Sequence, residues 1–331
     1  MNLETTYMGF KLEHPIVPGA SPMVDDLDLV KRLEDAGAPM IVMHSLFEEQ
    51  LVGEEVSMML AVGAHEEAHS EARSYLPEHG EFVLGAHEYL EQIRKIKETV
   101  SVPVIASLNG ITQGGWLRYA KFIEDAGADG LELNLYELAM DPEETGAGVE
   151  ARSLRIVRTV AHSIGIPVAV KLSPFYSSIA NFALRLEESG ARALVLFNRF
   201  YQPDIDVDAL EMFRVHLSSP NELLLRLRWI GALSGRIHAS LAATGGVHSA
   251  IDVVKAVMAG AHAVQMVSAL LAHGPKHLAE TRRALSEWLE AHEYDSLEQM
   301  RGSMSLERCT NPKAYERANY VRVLQSWTGA I

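Results

Sequence analysis

One cysteine, Cys309, stands among 331 residues. A lone thiol excludes an internal disulfide, a thiolate-held iron–sulfur cluster within the chain and a cysteine-rich zinc site, and it suits a reducing cytoplasm. Positive charge is also scarce: 29 Lys and Arg face 44 Asp and Glu, a formal net charge of −15. Nucleic acid and anionic membranes attract clustered cations, so neither is expected as a partner. The sequence has no apolar run of about 18 residues to span a bilayer, and its opening, MNLETTYMGFKLEHP, lacks the basic-then-apolar order of an export signal. What is present is 48% hydrophobic residue, enough for a substantial core. The chain reads as one domain over 1–331, with a barrel over about 14–290 and a helical extension over about 291–331.

A local pattern recurs in DAGAPMIVMHS, DAGADGLELNLY, ESGARALVLFNR and MAGAHAVQMVSA. In each, an amphipathic segment closes on a glycine (Gly37, Gly127, Gly190 or Gly260) and an apolar strand-like run follows within two or three residues. Glycine suits the left-handed position that ends a helix, so each is expected to join a helix to a strand. PVIASLNG, PVAVKLSP, HPIVPGAS and HASLAATGGV supply four more strands, making eight. Helices are expected over 25–36, 87–99, 115–126, 151–163, 177–189 and 249–259, with further helices after residue 276, including 315–327. Strands apolar on both faces and alternating with helices indicate a parallel α/β protein, and eight such units favour a closed (β/α)8 TIM barrel. An open doubly wound sheet is the rival. Two long stretches, 47–85 and 200–235, follow the second and sixth strands, where barrel enzymes carry active-site loops.

Barrels commonly hold a phosphate on the loops after strands seven and eight, using backbone N–H groups. Here those strands end in ATGGVHS and QMVSAL, which nominates Gly245, Gly246 and Ser268; an ordinary glycine turn is the plain alternative. Lys171 sits inside the apolar run PVAVKLSP and needs a partner, either a ligand or Glu132 on a neighbouring strand. Asn134 and Asn198 are further polar residues at strand ends, and the three together look like a site.

PIVPGAS, LELNL, PVAVKLSP and ATGGVHSAIDVVKAVMAGAHAVQM together resemble the class 1 dihydroorotate dehydrogenases, which are FMN-containing barrels, over residues 2–274. The resemblance implies that Ala20 and Ser21 touch the flavin, that Lys171 lies by its pyrimidine edge, and that Asn134 contacts flavin or substrate. It further implies that Gly245, Gly246 and Ser268 hold the FMN phosphate. Related barrels are often dimers, so a homodimer is expected.

Departures from the family pattern bear on the substrate. Where the family has a Lys-Ser or Lys-Thr pair after the second strand, this chain has His44-Ser45, a group titrating near neutrality beside a retained cofactor-side hydroxyl. The family's base, a Cys or Ser in Ser-Cys-Pro-Asn or similar, is replaced within Tyr136-Glu137-Leu138-Ala139. Glu137 is a candidate base or else a solvent-facing loop acid. The ring-gripping asparagine has become Ala139, and Arg199 follows Asn198 where a small hydroxyl residue is usual, which suits a carboxylate substrate. The expected activity is hydride transfer between flavin and a small anionic substrate at a CH–CH bond, with His44, Glu137 and Lys171 as catalytic candidates and Asn134, Asn198 and Arg199 on the substrate. Two other readings stand: a catalytically silent or electron-relay flavoprotein working with an electron-acceptor protein, and a flavin-free phosphate-binding aldolase or isomerase with Lys171 as Schiff base. A formal H-E-x-x-H, His65-Glu66-Glu67-Ala68-His69 with His79 downstream, reads as an acidic, His-rich surface loop or lid rather than a zinc site, so no metal is expected.

Overall fold

The computed structural model describes residues 1–47, 86–110, 113–137, 139–199, 205–206, 211–212, 217–312 and 325–326. Eight parallel strands form one sheet: β1 (Ile16–Pro18), β2 (Ile41–Phe47), β3 (Val104–Asn109), β4 (Gly130–Leu135), β5 (Val168–Leu172), β6 (Ala193–Leu196), β7 (Ser240–Thr244) and β8 (Ala263–Met266). Ladders join each strand from β2 to β8 to the next, β8 pairs with β1, and β1 lies against β2 to complete the ring. Helices α1 (Leu27–Asp35), α2 (Ala86–Thr99), α3 (Gln113–Asp125), α4 (Gly146–Ala161), α5 (Ile179–Glu188), α6 (Leu223–Leu233), α7 (Ala250–Ala259) and α8 (Lys276–Ala291) alternate with them. This is the (β/α)8 barrel that the sequence pattern leads one to expect.

The four helix-to-strand joints share one hydrogen-bond design. Gly37, Gly127, Gly190 and Gly260 all have positive φ. In each joint the glycine N–H bonds the carbonyl three residues back, and the alanine after it bonds the carbonyl five back, as Ala38 does to Leu33 at 2.9 Å. That pair satisfies carbonyls a helix end leaves orphaned, and the alanine turns the chain into its strand.

Side chains alternate between two cores. Outward residues such as Ile41, Met43, Leu131, Leu133, Leu194 and Val264 pack against the helices. Inward, the lower barrel is filled by Val17, Val42, Ile105, Ala169, Ala193, Val195, Ala242 and Ala263. Four alanines leave space there, and an antiparallel hairpin (Thr5–Tyr7 with Phe10–Leu12) fills it from below with Tyr7, Met8 and Leu12. One step higher, the inward positions turn polar: Ser107, Glu132, Lys171 and Gln265. The barrel therefore has an apolar floor and a polar mouth, at the strands' C-terminal ends.

Two elements differ from the expectations. Helix α6 lies within the stretch 200–235 that reads as a loop. Its buried stripe is Leu223, Arg226, Ile230 and Leu233, while Leu224 and Leu225 are exposed, so a buried charge and exposed leucines erase the amphipathic signal. Helix α4 starts at Gly146, five residues before the expected start, because the Thr145 hydroxyl caps it by accepting from Gly148 N at 3.1 Å; glycines in the first turn hide that start. The H-E-x-x-H segment with His79, and 315–327 apart from 325–326, lie outside the described residues. Among the described residues no helix is long and apolar enough to cross a membrane.

Candidate functional site

A cavity of about 210 Å³ opens at the mouth, far more than the roughly 30 Å³ share of a single water. Ala20, Lys171, Asn198, Arg199, Gly245, Gly246 and Ser268 line it together with Ser218, Thr244 and Gln265. Seven of the residues expected at the site therefore meet around one space, although they come from β1, β5, β6, β7 and β8 and their loops.

The cup at its β7–β8 end is built from backbone. Gly245 and Gly246 both take positive φ, +86° and +83°. A Cβ on Gly246 would lie 2.4 Å from the backbone nitrogen of Leu223, and one on Gly245 would lie 2.8 Å from Arg226 Nη2. Both glycines are thus required by the start of α6 packing under the turn, whatever sits above it. The Gly246 N–H donates to Ser218 Oγ at 3.3 Å, and Ser218 Oγ donates to Ser268 Oγ at 2.8 Å. Ser268 Oγ also accepts from Ser218 N at 2.9 Å. Backbone N–H groups and small hydroxyls converging where no Cβ intrudes are the donor set a phosphate monoester requires. Ser218 is an addition to the expected residues; nothing in HLSSP marks it in the sequence.

Lys171 meets one of its two expected partners, Glu132, and faces the space where the other would lie. Its Nζ lies 3.2 Å from Glu132 Oε1, and its side chain lines the cavity. Glu132 is 1% exposed and accepts from Gln265 Nε2 at 2.6 Å through its other oxygen. Strands β4 and β8 are not neighbours in the sheet, so that bond crosses the barrel's interior. Below the network the Tyr7 hydroxyl is buried with no partner among the described residues; desolvation first, and Glu132 second, push its pKa well up. Glu132 and Gln265 fix the ammonium at the cavity edge, leaving it donors for a ligand.

Asn198 Nδ2 donates to Asn134 Oδ1 at 2.8 Å across β6 and β4, which fixes the pair's amide orientation and leaves a donor on Asn134 and an acceptor on Asn198. Arg199 Nε approaches Glu222 Oε2 at 3.5 Å and lines the cavity. Ser21 is buried beside Ala20 at the end of β1.

On the β2–β3 side Ser45 Oγ and Ser107 Oγ share a hydrogen bond of 2.7 Å. His44 Nδ1 lies 3.0 Å from Asp25 Oδ1. That contact is an ion-pair distance without hydrogen-bond alignment, since both atoms count as unsatisfied by angle. Burial is the main cause of the shifts at both groups, lowering the histidine pKa and raising the carboxyl's. The Tyr89 hydroxyl holds this edge, donating to His44 O at 2.9 Å and accepting from Ser107 N at 2.9 Å. Glu137 pairs with Arg152, which also contacts Glu144 at 2.5 Å. Neither His44 nor Glu137 is among the residues lining the cavity.

The sequence profile described as dihydroorotate dehydrogenase matches residues 2–289. A putative dihydroorotate dehydrogenase A (fumarate) of Aeropyrum pernix is 32% identical over 227 residues, 66% of this chain and 72% of that protein. The dihydroorotate dehydrogenase B (NAD(+)), catalytic subunit, of Thermoplasma volcanium is 25% identical over 310 residues, 91% of this chain and 98% of that protein. Barrel, polar mouth and glycine cup all fall inside the matched region, and the chain belongs to the dihydroorotate dehydrogenase family.

Proposed function

We propose that this protein is an FMN-dependent oxidoreductase that moves a hydride between flavin and a small anionic substrate at a CH–CH bond. The observation that carries the reading is the single cavity in which the Gly245-Gly246 turn, Ser268 and Lys171 meet Asn198 and Arg199. The cup's N–H groups and hydroxyls take the FMN phosphate, with Ser218 rotating to share Gly246 N–H with it. Ala20, Ser21, Ser45 and the Lys171 ammonium position the ring system, and Glu132 with Gln265 holds Lys171 in place. When bound, the flavin supplies the hydride acceptor. Arg199, Asn198 and Asn134 bind the substrate, the guanidinium leaving Glu222 for a substrate carboxylate.

Hydride loss from one carbon requires a proton to leave its neighbour, which calls for a base. Glu137 is exposed, engaged by Arg152 and outside the cavity lining. His44, which burial keeps neutral and Asp25 backs at 3.0 Å, is the better base. With Ala139 exposed where the family places a ring-gripping asparagine, the substrate is selected more by charge than by the pattern a planar diamide demands.

The test is the absorption spectrum of the purified protein, with anaerobic titration by dihydroorotate and by other small carboxylates. A flavin spectrum bleached by one of these supports the reading. Colourless protein that refuses FMN on reconstitution sinks it. Relatives named as catalytic subunits favour a partner protein as electron acceptor; reduction only by such a partner would make this chain a relay.

A further inference from the structure

Arg226 is a buried cation, 6% exposed, on the inner stripe of α6. Among the described residues its guanidinium donates to backbone carbonyls alone: Nε to Thr244 O at 2.8 Å, Nη1 to Glu222 O at 2.7 Å and Nη2 to Phe197 O at 3.3 Å. Those three acceptors belong to the end of β7, the residue before α6 and the residue after β6. The Glu222 carboxylate turns elsewhere, one oxygen accepting from Ser219 N at 3.1 Å and the other approaching Arg199 at 3.5 Å. Among the described residues no carboxylate forms an ion pair with Arg226; the nearby Glu222 carboxylate favours its charge but is shared with a second cation, Arg199, which opposes it.

Three carbonyls engage three of the guanidinium's five N–H groups without cancelling its charge. With two guanidiniums to one carboxylate, positive charge is left over beside a buried group, so a further counter-charge is to be sought next to it. The guanidinium lies directly under Gly245, where an added Cβ would be 2.8 Å from Nη2 and 3.2 Å from Cζ. On the other side of that one-residue thickness of backbone is the cavity. Burial lowers the Arg226 pKa from its ordinary value, yet a guanidinium remains charged at any working pH.

We infer that Arg226 is the fixed positive charge for a phosphate dianion bound in the cavity, and that it positions the cup by clamping β6, β7 and the start of α6 together beneath Gly245. It acts through the backbone turn and does not touch the ligand. The identity of that dianion as the FMN phosphate rests on the function proposed above. The same charge disfavours riboflavin relative to FMN only by what it adds to the latter, so the two flavins separate its electrostatic role from simple support of the fold.

The experiment compares FMN and riboflavin binding, by quenching of flavin fluorescence, in wild type, Arg226→Gln and Arg226→Lys. Arg226→Gln is expected to lose about 10- to 100-fold in FMN affinity with riboflavin affinity held within about threefold, and Arg226→Lys to keep most of the preference. In wild type the FMN preference should fall between pH 7.5 and pH 5, as the phosphate's second proton, with pKa about 6, returns. Equal losses for both flavins, or no loss for either, overturn the inference and leave the flavin reading standing. If Arg226→Gln does not fold, a wild-type preference indifferent to pH overturns it equally. Inorganic phosphate, followed by 31P NMR, separates the opposite failure: wild type that binds phosphate but neither flavin, with phosphate lost in Arg226→Gln, sinks the flavin reading and sustains Arg226.

Discussion

On the β5–β8 side of the barrel mouth, polar groups point into one shared space: Lys171, Asn198, Arg199, the glycine turn, Gln265 and Ser268. On the β2–β4 side they are occupied with each other, as Ser45 with Ser107, His44 with Asp25 and Glu137 with Arg152. Departures from the family pattern fall on both sides, at His44, Glu137 and Ala139 on this one and at Arg199 on the other. In the function proposed above, the first half takes the FMN phosphate on its glycine cup and turns Asn198 and Arg199 to the substrate. In the same reading the second half handles the proton through His44 and adds Ser45 to the ring system. Groups that face the shared cavity and groups engaged with each other are thus separated by strand number within one ring.

The comparison is most sharply tested at the bridge between the halves, the Lys171–Glu132 pair. Lys171→Met leaves a carboxylate stranded in the barrel, and should cost about 3–5 kcal/mol in urea unfolding; adding Glu132→Gln should recover much of it. Recovery of stability without recovery of FMN binding would show that the ammonium serves the ligand as well as the fold. Next is Gly246→Ala, where positive φ and the 2.4 Å approach of Leu223 N predict a cost of about 1–3 kcal/mol in backbone strain alone and loss of FMN uptake. Normal flavin content in that variant would remove the glycine cup from the site.

Acidification should weaken both halves through groups outside the mouth. His14 and His262 titrate near 6.5 when unfolded, while burial holds each to about 4 in the folded chain. Between those values the unfolded chain binds more protons, so the stability present above pH 6.5 is lost as pH falls toward 4, by at most about 1.4 kcal/mol per pH unit per histidine. His14 Nδ1 accepts from Ile16 N and its Nε2 donates to Gly37 O, so His14→Gln should flatten the melting-temperature profile over that range; an unchanged slope would exclude His14. The smallest effect is expected from Glu137→Gln, within about threefold in FMN affinity because the side chain is exposed and engaged by Arg152. If that variant instead loses the acid limb of its pH–rate profile while His44→Gln keeps it, the base is Glu137 and the β2–β4 half must be reassigned.

The barrel was legible because its joints repeat. A glycine followed by alanine at the end of each amphipathic run is a local hydrogen-bond requirement, and local requirements show in sequence. Gly245, Gly246, Ser268 and Lys171 were legible for a related reason, being unusual residue types at strand ends. Arg226 was not, since its partners are carbonyls from segments up to 29 residues away and its place on a buried stripe obscures the helix that carries it. Ser218 stayed hidden because serine in a loop is ordinary until the fold brings Ser268 to it from 50 residues away. The pairing of Glu137 with Arg152 likewise depends on where α4 begins, which its early glycines conceal.

The hairpin that fills the barrel from below has a consequence for the order of assembly. Thr5 Oγ1 donates to His262 O at 2.7 Å and accepts from Arg301 at 2.9 Å, and Asn2 bridges Ser296. During synthesis the hairpin therefore waits for partners 257 and 296 residues further along the chain before its side chains have a place to go. Until then Tyr7, Met8 and Leu12 remain uncovered, so the nascent chain carries its own stopper, set in place only when the ring behind it has closed.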